Sequence, residues 1–350
     1  MAWSPWHREP SVVTLRPSDK TFEATRKDSI LDQALEAGVP FPHSCTVGTC
    51  GSCKARLLSG KVRELMETAI ILSTEELRAG YILACQSIAK TALELEVPAL
   101  AETPDHPLVE MDTVIVDQRR LTHDIVELVV ALPQPLSFTA GQYAELRHEA
   151  MTGPRAYSFA LAPSRAPSDG ATFYVRLTPD GEFTEWLFAQ DRTGADLRLR
   201  GPFGNLWLRP NDSPILCVAG GSGLAPVKCL LEAAHDAGTK RDAILVFGAR
   251  TSDDLYCVDE LEELATGWAT ELRLVPVLSS EPEDSDWAGD RGMVTDAIAR
   301  LDSEFLGSCD AYVCGPPPMV DAVEDQLCST RGDAGFFHAD RFLDKAFRGG

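Results

Sequence analysis

The spacing of apolar residues changes period twice along the chain. Near the start it alternates, and Ser11–Leu15 and Thr21–Thr25 read as short strands joined by a turn at "PSDK". Ile30, Leu31, Ala34 and Leu35 then recur at helical spacing, with Ser29 placed to cap the helix and Gly38 and Pro40 placed to end it. Ala55–Leu58 predicts a strand that turns at Ser59 and Gly60. "STEELRAG" predicts a second helix, with Ser73 and Glu76 as a capping box and Gly80 as its stop. "LELEV", Leu93–Val97, alternates strictly and predicts a half-buried strand. A sheet with two helices over 1–98 makes a small α+β domain. The prolines and polar residues of "PALAETPDHP" predict a linker over 99–106.

From 107 to 210 strand follows strand: Val114–Val116, Ile125–Ala131, Gln142–Arg147, Ala156–Ala160, Phe173–Leu177 and Asp196–Leu199, broken once by a short helix, Thr184–Gln190. This spacing predicts a small antiparallel β-barrel. From 211 to 350 buried apolar strands ("PILCVAGG", "AILVFGA", "LRLVPVL", "DAYVCGP") alternate with helical stretches. That rhythm predicts an α/β domain with a parallel sheet and crossover helices.

Composition narrows the function classes. The 350 residues carry a net charge of −21, and it is uneven: 11 Lys/Arg against 12 Asp/Glu in 1–98, but 21 against 41 in 99–350. Such acidity argues against nucleic acid as a partner, which needs a basic footprint. The longest apolar stretch, Pro214–Val227, is too short and too rich in glycine to span a bilayer, so no membrane partner is expected. "MAWSPWHREP" lacks the basic and apolar regions of a secretory signal. Ten cysteines without such a signal predict a cytoplasmic protein whose grouped thiols hold metal or do redox work.

Three of those cysteines, Cys45, Cys50 and Cys53, are spaced C-x4-C-x2-C, and Cys85 follows after 31 intervening residues. Structural zinc is the rival reading, but zinc sites usually pair two C-x2-C knuckles, and only one is present here. The spacing is that of a plant-type [2Fe–2S] cluster. Gly48 and Gly51 let the backbone curl around a cluster, while Ser44, Thr46, Thr49 and Ser52 keep the loop thin. Lys54, Arg56, Lys61 and Arg63 read as a solvated face, and His43 as a loop residue. Residues 11–98 resemble the plant-type ferredoxin domain. The resemblance implies a β-grasp fold with Cys45, Cys50, Cys53 and Cys85 as ligands.

The barrel segment carries "RAYS" (Arg155–Ser158), "GEFTEWL" (Gly181–Leu187) and "GPFG" (Gly201–Gly204). Together these resemble the ferredoxin–NADP reductase superfamily, which implies an FAD-binding barrel. The resemblance implies Arg155 on the flavin pyrophosphate, Tyr157 stacked on the isoalloxazine and Ser158 near flavin N5. It implies Ala156, Gly181 and Phe183 among the other contacts, and Thr184 at the start of a helix that receives phosphate. The last segment carries "AGGSGLAP", with Gly220, Gly221 and Gly223 in a phosphate turn and Pro226 replacing the usual last glycine. It also carries "YVCGPPPMV". These match the nicotinamide module of the same superfamily, which implies Cys314 beside the nicotinamide, followed by Gly315 and Pro316. Arg250 could reach a 2′-phosphate, whereas Asp253, Asp254 and "SEPEDSD" would repel one, which favours NADH. In the tail, "FFHADRF" offers Asp340 and Phe342 for the acidic and aromatic positions of the family near the flavin, and His338 is expected at the surface. Ser158, Cys314 and Asp340 are the candidate catalytic residues.

The order of ferredoxin, flavin barrel and nicotinamide module resembles the NADH-oxidising reductase components of multicomponent bacterial oxygenases. The resemblance implies an electron path from NADH to FAD to the [2Fe–2S] cluster and on to a terminal oxygenase, either an aromatic-ring dioxygenase or a diiron monooxygenase. It implies a monomer. A reductase serving a deoxysugar dehydratase with the same cofactors is the alternative partner reading. A zinc-stabilised, non-enzymatic nucleotide sensor is a third.

Overall fold

The computed structural model describes residues 10–43, 46, 48, 51–97, 106–332 and 336–342. Nearly all of the expected linker, as well as Cys45 and Cys50, lies outside them. The chain divides into two compact units, Met1–Leu108 and Val109–Gly350.

The first unit is built on a five-stranded sheet in the order Thr21–Ala24, Ser11–Arg16, Leu93–Glu96, Lys54–Ser59, Tyr81–Leu83. Ser11–Arg16 runs antiparallel to Thr21–Ala24 and parallel to Leu93–Glu96. Helix Ile30–Glu36 lies on this sheet because Ile30, Leu31 and Ala34 share one face, and they join Val13, Leu15 and Phe41 in a buried cluster. Ser29 Oγ accepts from Asp32 N at 3.1 Å. At the second helix, Thr74–Arg78, the expected capping box forms in both directions, 3.2 Å to Ser73 Oγ and 2.8 Å to Glu76 Oε2. Three strands of three residues each, Val62–Glu64, Tyr81–Leu83 and Ser87–Ala89, are too short to show an alternating pattern. Cys85 sits on the turn Ala84–Gln86 between two of them.

The second unit contains the barrel and the parallel sheet. The barrel strands follow the order Arg155–Ser158, Tyr143–Arg147, Asp196–Phe203, Val109–Arg120, Ile125–Ala131, Gly170–Arg176, all antiparallel. A bridge between Phe159 and Phe173 draws the two ends of the sheet together. The short helix begins at Glu182, with Gly181 as N-cap, and not at Thr184 as expected.

The parallel sheet runs Asp290–Arg291, Leu272–Leu278, Ala243–Ala249, Ile215–Gly220, Asp310–Gly315, Phe337–Arg341. Its central strands are buried on both faces, while the edge strands Asp290–Arg291 and Phe337–Arg341 are half-buried. Leu216, Val218, Val246 and Val313 pack against Val294, Ile298, Val320 and Val323 from helices Val294–Ile298 and Pro317–Arg331. Ile215, Cys217, Ala219, Leu245, Tyr312 and Cys314 face the other way, toward helix Leu224–Asp236, and belong to one apolar cluster with the barrel's Ile125, Phe159, Phe173 and Leu199. Barrel and sheet therefore share a core.

Polar contacts reinforce that shared core. Glu232 Oε2 accepts from Ala162 N at 2.9 Å, and Lys228 Nζ lies 2.5 Å from Glu232 Oε1, with both side chains 5% exposed. Arg165 and Ser164 of the barrel segment donate to Asp236 at the end of the same helix. No helix among the described residues is long and apolar enough to cross a membrane.

Glu232→Ala leaves the Lys228 ammonium buried without its carboxylate and frees Ala162 N, so it should destabilise the second unit by roughly 3–5 kcal/mol. Chemical denaturation of the full chain measures it. A change near zero would mean that the buried pair does not hold barrel to sheet.

Candidate functional site

In the first unit, Cys53, just before strand Lys54–Ser59, and Cys85, on the turn Ala84–Gln86, are brought together. Their sulfurs lie 3.2 Å apart and both side chains are buried. Gln86 Nε2 reaches Thr46 O at 3.4 Å, and Ala84 N donates to Cys53 O at 3.1 Å, which ties the turn to the cysteine loop. Gly48 has a φ of +81°, and a Cβ there would lie 2.4 Å from Gln86 Cγ, so only glycine fits. Two buried thiols at contact distance, wrapped by tight backbone, suit a thiolate-bound metal cluster. His43 lies in a loop and is buried, with Nδ1 2.8 Å from Phe41 O. Lys54 and Arg56 pair with Glu76 and Glu96, as a solvated face would.

In the barrel, Arg155–Ser158 is the edge strand, paired through Tyr143↔Ser158 and Leu146↔Arg155. Ala156 is exposed, Arg155 and Tyr157 are half-buried and Ser158 is buried. Tyr157 packs against Phe183 with ring centroids 5.3 Å apart. An edge strand bearing a cation and a braced aromatic fits a ligand with a flat ring and a diphosphate. Arg155 is meanwhile held at 3.3 Å by Glu182 Oε2, and Glu182 also accepts from Thr152 N and Oγ1. The Thr184 hydroxyl turns back to the chain, accepting from Thr178 N at 3.1 Å and lying 3.2 Å from Thr178 O and Gly181 O.

In the parallel sheet, the predicted residues converge at the C-terminal edge, where Ile215–Gly220 and Asp310–Gly315 lie side by side. A Cβ on Gly223 would stand 2.2 Å from Cys314 O, so the glycine turn presses directly on the Cys314–Gly315 backbone. Pro226 is the third residue of helix Leu224–Asp236 and breaks no hydrogen bond there. Pro316 caps helix Pro317–Arg331. Cys314 pairs in register with Asp340, and Phe342 N donates to Gly315 O at 2.8 Å. Cys314 is fully buried, and burial holds its thiol protonated, well above the usual cysteine value. His338 departs from its expected surface position. It is half-buried on the edge strand Phe337–Arg341, stacked 5.0 Å from Tyr312, and burial pushes its imidazole down to about 4.

Sequence reasoning missed three residues at this edge. Tyr256 donates through its hydroxyl to Gly221 O at 3.0 Å. Arg176 of the barrel lies with its guanidinium 3.7 Å from where a Gly221 Cβ would be, and its Nε donates to Asp124 at 3.0 Å. Burial raises the pKa of Asp124, but Arg176 outweighs it and holds the carboxyl below its ordinary value. Tyr256 and Gly221, Arg176 and Asp124, and Arg176 and Gly221 come together from stretches far apart in the chain, so no local motif marks them. Arg250 and Asp254 are brought together, 3.6 Å apart.

The chain matches three family models: a 2Fe-2S iron-sulfur cluster binding domain over residues 13–90, an oxidoreductase FAD-binding domain over 112–207 and an oxidoreductase NAD-binding domain over 217–325. Fold and site thus define an iron–sulfur flavoprotein oxidoreductase, and the zinc alternative falls away. The chain is 43% identical to the xylene/toluene monooxygenase electron transfer component XylA of Pseudomonas putida, over 96% of this chain and 94% of that protein. It is 33% identical to the reductase component of the naphthalene 1,2-dioxygenase system of Pseudomonas putida, over 97% and 99%. A cytochrome P450 reductase from Amycolatopsis superposes with a TM-score of 0.85 at 30% identity, covering 95% of this chain and 99% of that one. The chain belongs to the electron-transfer reductase components of multicomponent oxygenases, which oxidise NADH and pass electrons by way of FAD and a [2Fe–2S] cluster to a terminal oxygenase.

Arg155→Ala should weaken FAD retention by roughly tenfold or more, since a charged hydrogen bond contributes about 1.5–3 kcal/mol and Glu182 would be left facing the diphosphate. Flavin content after gel filtration measures this, and full occupancy would contradict the role.

Proposed function

We propose that Cys45, Cys50, Cys53 and Cys85 ligate the cluster. The edge strand Arg155–Ser158, with Gly181, Phe183, Thr184 and Phe342, receives the FAD. Gly220, Gly221, Gly223 and Pro226, with Cys314, Gly315, Pro316, Arg250 and Asp254, receive NADH. The observation that carries this reading is the backbone contact of the glycine turn with Cys314, with Asp340 in register beside it. It concentrates the predicted dinucleotide residues at one edge of the parallel sheet, where open α/β sheets take their ligands.

Bound FAD and the cluster supply what side chains lack, acceptance of a hydride and release of electrons one at a time. The protein's part is placement. The permanently charged, planar guanidinium of Arg155 balances the flavin diphosphate. Tyr157, braced by Phe183, offers its ring to the flavin, and the buried Ser158 hydroxyl serves as a hydrogen-bonding group at flavin N5. Cys314, buried and neutral, with Asp340 alongside, forms a wall for the nicotinamide that excludes water from the hydride path.

The partner we propose is a terminal oxygenase acting on an aromatic hydrocarbon. Support comes from the 43% identity to the xylene/toluene monooxygenase component. Relatives named as oxygenase reductases favour this partner over a dehydratase. The chain acts as a monomer in the cytoplasm, where the thiols of its ten cysteines stay reduced.

Reconstitution with a purified aromatic-hydrocarbon monooxygenase tests the proposal. The wild-type protein should sustain NADH-dependent hydroxylation. Cys53→Ser should abolish it, while leaving NADH–ferricyanide activity, which needs only the flavin. Equal loss of both activities in Cys53→Ser, or no hydroxylation with the wild-type protein, would contradict the reading.

A further inference from the structure

Arg250 follows strand Ala243–Ala249, whose Gly248 is in register with Gly220 of the phosphate turn. It is the cation that the proposed reading sets at the adenosine-ribose end, and its side chain is 54% exposed. Its charge is already committed. Arg250 Nη2 lies 3.4 Å from Asp124 Oδ2 and 3.6 Å from Asp254 Oδ1, and also 3.4 Å from His123 Nε2. His123 Nδ1 lies 3.4 Å from Asp254 Oδ1. Asp254 is pinned in its own loop, where its Oδ2 accepts from Thr251 N at 2.9 Å and Thr251 Oγ1 at 3.0 Å. Asp124 is different. It comes from the barrel, is held by Thr122 Oγ1 at 3.1 Å, and spans two guanidinium groups, Arg176 at 3.0 Å and Arg250 at 3.4 Å.

We infer that Asp124 is a positioning residue for coenzyme selectivity: by drawing Arg250 toward the barrel and cancelling its charge, it makes the adenosine-ribose end reject a 2′-phosphate and accept a 2′-hydroxyl. The inference rests on the proposed reading that Arg250 and Asp254 flank that ribose. A 2′-phosphate carries up to two negative charges and would meet two carboxylates already within 3.6 Å of the one guanidinium it needs. Asp253 on the same loop, and Glu281 on the loop after strand Leu272–Leu278, which accepts from Ser252 N at 2.8 Å, add further negative charge. A hydroxyl brings no charge and can donate to either carboxylate. Selectivity of this kind is built by placing an unfavourable charge against the wrong ligand.

Calorimetric titration of the flavin-loaded holoprotein with 5′-ADP and with 2′,5′-ADP tests this. The wild-type protein should bind 5′-ADP more tightly. Asp124→Asn should tighten 2′,5′-ADP on the order of tenfold, a factor corresponding to about 1.4 kcal/mol, and leave 5′-ADP within about twofold. Asp124→Glu, which keeps the charge, should behave as wild type. Parallel changes for both nucleotides in Asp124→Asn would overturn the inference, because they mark a general disturbance of the site. Unchanged 2′,5′-ADP binding in Asp124→Asn, with Arg250→Ala weakening either nucleotide, would overturn it while leaving the site reading intact. If Arg250→Ala alters neither nucleotide, the site reading itself fails and the inference with it. Should Asp124→Asn lose its flavin, the wild-type comparison still decides, since tighter binding of 2′,5′-ADP than of 5′-ADP would overturn the inference.

Discussion

The second unit depends on one close approach, between the backbone at Gly223 and the carbonyl of Cys314. No side chain separates the glycine turn from the end of strand Asp310–Gly315. That contact sets two strands distant in sequence side by side with their C-terminal ends together, the end at which open α/β sheets take their ligands. The edge strand Phe337–Arg341 then pairs onto Asp310–Gly315 and delivers Asp340 and Phe342 to the same place. The shared apolar cluster fixes the barrel against the sheet, so barrel residues such as Arg176 and Asp124 become part of the dinucleotide edge.

The chain uses its cysteines in two opposite ways. Cys217, Cys229 and Cys314 sit in apolar surroundings that raise their pKa values and keep them neutral, as inert packing groups or as a neutral wall. Cys53 and Cys85 are also buried, but they face each other at 3.2 Å on backbone that turns around them. What sets Cys53 and Cys85 apart from the packing thiols is a second sulfur at contact distance, which burial alone does not supply.

Much of this was legible in the chain because the relevant signals are local. Ile215–Gly220, Ala243–Ala249 and Leu272–Leu278 are apolar runs bounded by turns, and the observed strands fall on the predicted stretches. Ser73 and Glu76 specify their helix start through groups three residues apart. The strand Phe337–Arg341 escaped notice because "FHADR" is half-buried throughout and has no alternation; its pairing is imposed by its neighbour. The helix start at Glu182 was misplaced because Gly181, lacking a side-chain cap, gives a weaker signal than a following threonine. Asp124, Arg176 and Tyr256 act through contacts between segments far apart in the chain, which no spacing rule reveals.

An anaerobic reductive titration of the holoprotein, followed by visible absorbance and electron paramagnetic resonance, tests the central claim most directly. The account predicts uptake of about three electrons per chain, two by the flavin and one by the cluster. NADH alone should bleach the flavin and raise the resonance of a reduced [2Fe–2S] cluster. A titration complete at about two electrons, with no such resonance, would contradict an electron path ending at Cys53 and Cys85.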